Sequence, residues 1–218
     1  MRAIALAAIV GAALTGVAAA EPWTDPAGRL TFNKPSGWQV ESLGNSAEAT
    51  AVLAFNASND CYFYGLPNPS TASASPDATR RHTAELTREN WIAVASAGLL
   101  RRDFFPSGTP EFVSSSVDSS GFWPIQRAQF QGARTVFAAV QVRPGFELRA
   151  FCAATSGGSA ASFDAIFASL GHPNDAAWQA QAQEQAAQRE AAAAQQQAQQ
   201  QPEAEEAEPT NRNRRRRN

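Results

Sequence analysis

The stretch ARTVFAAVQVRPGFELRAFCAA, residues 133–154, decides the fold. Its apolar residues are mostly β-branched, aromatic or small, a composition suited to pleated strands. Pro144-Gly145 divides it into two strands, about 133–142 and 146–154. Val136, Ala138, Val140 and Val142 share one face of the first strand, and Phe146, Leu148, Ala150 and Cys152 share one face of the second. A two-residue loop at Pro144-Gly145 pairs Val142 with Glu147 and scrambles these faces. A three-residue loop, Arg143-Pro144-Gly145, pairs Val142 with Phe146 and Val140 with Leu148. Apolar matching therefore predicts the longer loop, with Gly145 left-handed in a bulge. Cys152 then points into the core.

Further strands are expected on either side. ATAVLAFNASNDCYFYGLP gives two, at about 50–56 and 61–66, with Asn56, Ser58, Asn59 and Asp60 in the turn between them. Cys61 and Phe63 share a face of the second. Two more run over about 111–118 and 124–130. At the start, DPAGRLTFNKPSGWQV (residues 25–40) alternates around the turn Pro35-Ser36-Gly37 and reads as a β-hairpin. Between the strand groups, residues 70–98 read as one helix. Ser75 is its N-cap, Pro76 its first residue, Asp77 a first-turn acid and Gly98 its stop. Leu86, Trp91, Ile92 and Val94 are its expected anchors. TSGGSAASFDAIFASLGHP, residues 155–173, closes with a short helix. Phe163, Ile166, Phe167 and Leu170 make its buried stripe, and Gly171 and Pro173 end it.

The termini place the chain. Arg2 precedes an apolar segment, Ile4 to Val17, and Ala18-Ala19-Ala20 offers small residues for a signal peptidase. Residues 1–20 are expected to be a signal peptide cleaved near Ala20, leaving no transmembrane anchor. The expected location is a bacterial periplasm or the cell exterior. There the chain's two cysteines, Cys61 and Cys152, are expected to form a disulfide. Residues 21–173 are expected to form one globular domain, of a size that buries a sizeable core. After Pro173 the composition turns to Ala and Gln. Residues 174–201 are expected to be a solvent-exposed helix or linker, touching the domain at most near Trp178. Residues 202–218 are expected to be a disordered tail, acidic and then basic. The whole is an α+β fold: an antiparallel β-sheet with helices packed on it, plus a C-terminal Ala/Gln-rich helical or disordered tail.

Gly28-Arg29-Leu30-Thr31-Phe32, Pro35-Ser36-Gly37-Trp38-Gln39-Val40, a mid-chain helix, a meander of strands and a closing FDAIFASL together resemble the PsbP-like group. That group is named for an extrinsic subunit of photosystem II. The resemblance spans most of residues 24–171. It implies an α/β/α sandwich with an antiparallel sheet between helical layers, serving as a non-enzymatic binding or assembly module. The disulfide and the long tail depart from the group, so photosystem function does not carry over. No catalytic residues come with the resemblance.

The residues themselves point to no catalytic centre. His82 lies in a charged helical turn and His172 follows a helix stop, so both are expected to be solvated. No Gly-x-Ser-x-Gly elbow singles out a serine. Two histidines and two separated cysteines make no metal cluster, and no cofactor is expected. Thr155-Ser156-Gly157-Gly158-Ser159 lacks the lysine of a phosphate-binding loop and reads as a plain turn. Arg101, Arg102, Phe104 and Phe105 form a partner patch if exposed. Five arginines, Arg212, Arg214, Arg215, Arg216 and Arg217, suit polyanion contact through the guanidinium fork. The formal net charge is only −2, so any basic effect is local to that end. No aromatic interleaving supports specific nucleic-acid binding.

Three functions follow. The first is a non-enzymatic exported envelope protein acting as a binding or assembly module, with an envelope protein or an anionic envelope surface as partner. The second is a periplasmic hydrolase whose site is assembled from distant residues. The third is an envelope-surface binder working through the arginines. A deep pocket with convergent polar groups favours the second; a packed sheet with a shallow apolar groove favours the first.

Overall fold

The computed structural model describes residues 20–46, 49–82, 84–106, 108–154 and 161–200. The segment expected to be a signal peptide, apart from Ala20, and the terminal arginines lie outside these residues. Seven strands make the main sheet: β3 (Gln39–Asn45), β4 (Thr50–Phe55), β5 (Asn59–Pro67), β6 (Glu111–Asp118), β7 (Ile125–Gln131), β8 (Thr135–Arg143) and β9 (Phe146–Ala154). Their spatial order is β3-β4-β5-β9-β8-β7-β6, and every pairing is antiparallel. A separate ribbon joins β1 (Glu21–Thr24) to β2 (Thr31–Lys34).

The sheet carries a core on each face. On one face Val52, Cys61, Phe63, Phe137, Ala139, Leu148, Ala150 and Cys152 are buried beneath Leu30 and Phe32 of the ribbon region and the α4 helix (Ala161–Ser169). Phe163, Ile166, Phe167 and Leu170 are all buried there, as the i, i+3, i+4, i+7 stripe requires. On the other face Tyr62, Phe130, Val136, Ala138, Val140 and Phe151 pack against Trp91, Leu100, Phe104 and Phe105. Each fully buried side chain of this size adds about 1.5–3 kcal/mol of apolar transfer. Helical layers thus cover both faces, the sandwich that the resemblance implies.

Cys61 and Cys152 lie directly opposite each other on β5 and β9, with Cα atoms 4.1 Å apart, and are disulfide-bonded. The crosslink sits at mid-sheet and joins strands 91 positions apart in sequence.

Four expectations are corrected. Residues 30–40 do not form a hairpin on themselves: β2 pairs with β1, while β3 pairs with β4. The ribbon is instead held to the end of α4, where Thr31 and Gly171 exchange backbone hydrogen bonds of 2.8 and 2.9 Å.

The β8–β9 loop has two residues, not three. Arg143 pairs with Phe146, Val142 with Glu147 and Val140 with Arg149. Gly145 is left-handed, as expected, at φ 76°. Apolar matching misjudged the register because β8 is buried on both sides. Phe137 and Ala139 serve the disulfide layer, while Val136, Ala138 and Val140 serve the other.

The single helix over residues 75–98 is three. They are α1 (Pro76–His82), α2 (Arg88–Ala95) and α3 (Gly98–Phe104), so Gly98 opens a helix and does not stop one. The Ser75 cap holds, with its hydroxyl accepting from the Ala78 N–H at 3.2 Å. The break after α1 has a visible cause. The buried Gln126 side chain accepts from the Leu86 N–H at 2.6 Å and donates to the Ala84 carbonyl at 3.0 Å. Those backbone groups are satisfied outside a helix, and Thr87 then caps α2 by accepting from the Asn90 N–H.

The Ala/Gln segment is a helix, α5 (Asp175–Gln200), but its part up to Arg189 is docked on the domain. Ala182 is buried, and Arg189 pairs with Asp77 of α1 at 2.7 Å. Among the described residues, no helix is long and apolar enough to cross a membrane.

Candidate functional site

An open cleft of about 420 Å³ lies on the α1 side of the sheet. Its floor is Val140 and Val142 of β8, with Gln126 and Glu147 beside them. Ala78 and Thr79 of α1, Ala84 and Leu86 of the following linker, and the turn at Asn68–Thr71 make its walls. The floor exists because β8 alternates valine toward this face while its other face serves the disulfide layer. Small residues at 74, 78 and 84 leave the space open, since alanine projects little beyond the backbone.

Both walls are anchored. Thr71, in a short 3-10 turn (Pro69–Thr71), donates its hydroxyl to the Arg143 carbonyl at 2.8 Å and accepts from the Gly145 N–H at 3.1 Å. The Asn68 N–H reaches the Gly145 carbonyl at 2.8 Å. The opposite wall is the linker held by Gln126. The one carboxylate in the lining, Glu147, is paired with Arg149. Such a surface suits an apolar group with a polar neighbour at the rim.

A second arrangement fixes α5. Arg143 is 1% exposed, and its guanidinium makes a bidentate pair with Asp175, at 2.6 and 3.0 Å. It also donates to the Gln141 side chain at 2.7 Å and lies 4.5 Å over the Trp123 ring. Burial pulls the Arg143 pKa down while the Asp175 partner pulls it back up. Fork geometry is what makes such a buried pair tolerable. His172 stacks on Trp178 at 4.7 Å and contacts Phe146 at 4.5 Å. Its Nδ1 accepts from the Asn174 N–H at 3.1 Å, and its Nε2 is buried without a hydrogen-bond partner. Burial pushes its pKa down to about 4; Asp175 opposes the shift and Arg143 adds to it. At the far side of the docked segment, Asp77 is held below the usual carboxylate range by hydrogen bonds from Arg189 and Arg81.

His172 is buried, not solvated, because it closes the packing under Trp178. The side chains of His82 and Arg101 lie outside the described set. Phe104 and Phe105 are buried and make no exposed patch: Phe104 packs edge-on to Tyr62, and Phe105 to Phe130. Arg102 is exposed and paired with Asp103 at 2.5 Å. Arg212, Arg214, Arg215, Arg216 and Arg217 lie outside the described residues, as does the turn at 155–159. The cleft and the Arg143–Asp175 pair were not anticipated. A valine-rich strand beside small helical residues was a visible signal for the cleft; nothing local pairs Arg143 with Asp175.

No family model matches the chain, and no curated protein matches it. Among solved structures, a crystal structure from Bacteroides thetaiotaomicron VPI-5482 is 15% identical, with a TM-score of 0.40. That match covers 71% of this chain and 49% of the other, so the chain spans about half of that protein's length. The chain is also similar in fold to the solution structure of cyanobacterial PsbP (CyanoP) from Synechocystis sp. PCC 6803, at 13% identity and a TM-score of 0.49 over 75% of this chain and 98% of that one.

Proposed function

We propose that this protein is a non-enzymatic binding or assembly module of the bacterial periplasm or cell exterior, released from its leader near Ala20. It receives an apolar side chain of an envelope protein in the cleft above β8. The observation that carries this reading is that the cleft is open, floored by Val140 and Val142, and walled by segments already hydrogen-bonded in place. A preformed site spares the partner the cost of ordering it. The Cys61–Cys152 crosslink is consistent with an oxidising compartment and stiffens the sheet beneath.

The test places a photo-reactive benzoyl-phenylalanine at Ser70, on the cleft rim, in the full chain expressed with its native envelope. A discrete protein adduct is expected, and Ala78→Trp, which fills the cleft, should remove it while the melting temperature stays within a few degrees. An adduct undiminished by Ala78→Trp, or no adduct at all, overturns the reading.

A further inference from the structure

Among the described residues β6 is an edge of the sheet, hydrogen-bonded on one side only, to β7. Its middle reads Val113-Ser114-Ser115-Ser116-Val117, the same in both directions about Ser115. All five residues are exposed. Val113 and Val117 are 51% and 43% exposed, and they are the exposed large hydrophobics among the described residues. From Ser114 to Asp118 the strand keeps an unbroken register with β7, so it is straight enough to accept another strand. The bulge between Phe112 and Ser114 leaves Val113 without a register partner on β7.

We propose that β6 is a self-association edge that pairs antiparallel with β6 of a second copy of this chain, about a two-fold axis at Ser115. The symmetry of the segment selects this occupant. With Ser115 opposite Ser115, each Val113 faces the other copy's Val117, so both exposed valines gain an apolar neighbour in duplicate. The serines face serines, which hydrogen-bond across strands and carry no charge. The acids do not collide: Glu111 comes opposite Ser119 and Asp118 opposite Phe112. Asp118 also has partners already, in Arg127 and the Ser120 N–H. The other edge, β3, offers no such match. Its sequence, Gln39-Val40-Glu41-Ser42-Leu43-Gly44-Asn45, has no such two-fold symmetry. The contact is isologous and closes at two copies, joining two seven-stranded sheets into one. It uses neither the cleft nor α5.

Sedimentation velocity of the leader-less chain, with its disulfide intact, tests the pairing across micromolar to millimolar concentrations. A concentration-dependent monomer–dimer equilibrium is expected. Val113→Lys or Val117→Glu alone should weaken it by about tenfold, since each removes two cross-strand contacts per dimer. The double variant Val113→Lys/Val117→Glu should restore it, because each lysine then faces a glutamate of the other copy. Both positions are solvent-exposed, so near-ultraviolet circular dichroism should be unchanged. Monomers throughout, a dimer indifferent to the single variants, or a double variant no better than the singles would each overturn the proposal. Pairing only with an added foreign peptide strand would overturn it equally.

Discussion

Mild acid should destabilise this protein through His172. The imidazole is neutral in the fold because it is buried against Trp178 and Phe146, with Arg143 nearby and Asp175 only partly compensating. Its pKa is about 4, against about 6.5 for a free histidine. The folded value is depressed, so the unfolded chain takes up a proton first. The stabilisation is complete above pH ~6.5 and declines as pH falls toward 4. Between pH 7 and pH 5 the loss integrates to about 2 kcal/mol. Asp77, Asp103 and Asp118 do not confuse this window, since their pKa values are lowered and they stay ionised across it. Their own contributions are present above the ordinary carboxylate pKa and are lost only in stronger acid. The assay is urea unfolding, followed by tryptophan fluorescence at pH 7, 6 and 5, for the natural chain and for His172→Gln. The natural chain should lose about 2 kcal/mol more than the variant between the end points. Parallel losses in the two proteins would refute the argument that burial of this ring sets the pH response.

Three further outcomes are expected. Asp175→Ala strands the buried Arg143 charge and should cost about 3–5 kcal/mol, whereas Arg143→Met should cost less because no ion remains buried; urea midpoints compare them, and tryptic cutting after Arg189 reports release of α5. Gly132→Ala would bring a Cβ to 2.7 Å from the Phe105 ring and 2.8 Å from the Phe104 carbonyl. It should destabilise by about 1–3 kcal/mol in the same assay, since the loop and α3 must part. Reducing Cys61–Cys152 frees a loop of 91 positions and should lower stability by about 4–5 kcal/mol in the chain-entropy picture, measured as a shift of the urea midpoint with and without dithiothreitol.

What the sequence made legible was whatever one element states by itself. The α4 stripe of Phe163, Ile166, Phe167 and Leu170 carries its period in full, and all four are buried. The Ser75-Pro76-Asp77 start is a local cap, and it forms. The strand positions of β4 to β9 follow from their turns and β-branched content. What stayed illegible depends on a distant partner. The helix over 75–98 looked continuous because its interruption is made by Gln126, some forty positions away, which takes up the backbone groups of Ala84 and Leu86. The cleft is a product of that same break.

The β8–β9 register shows the limit most clearly. Period-two alternation specifies register only when one face is polar. β8 is buried on both sides, so its apolar pattern supports either loop length. What the shorter turn does is place Gln141 and Arg143 on the disulfide face, with Arg143 opposite Phe146. There Arg143 meets Asp175, and Gln141 donates to the Phe167 carbonyl of α4 at 3.1 Å. Slipping the strand by one residue would turn both side chains to the opposite face and leave Asp175 without its partner. A register that core apolar packing leaves open is thus settled by a polar pair 32 positions apart, and the same pair anchors α5. Strand register and tail docking are therefore one choice, which is why Asp175→Ala should loosen α5 and the β8–β9 turn together, seen as joint loss of amide exchange protection in both.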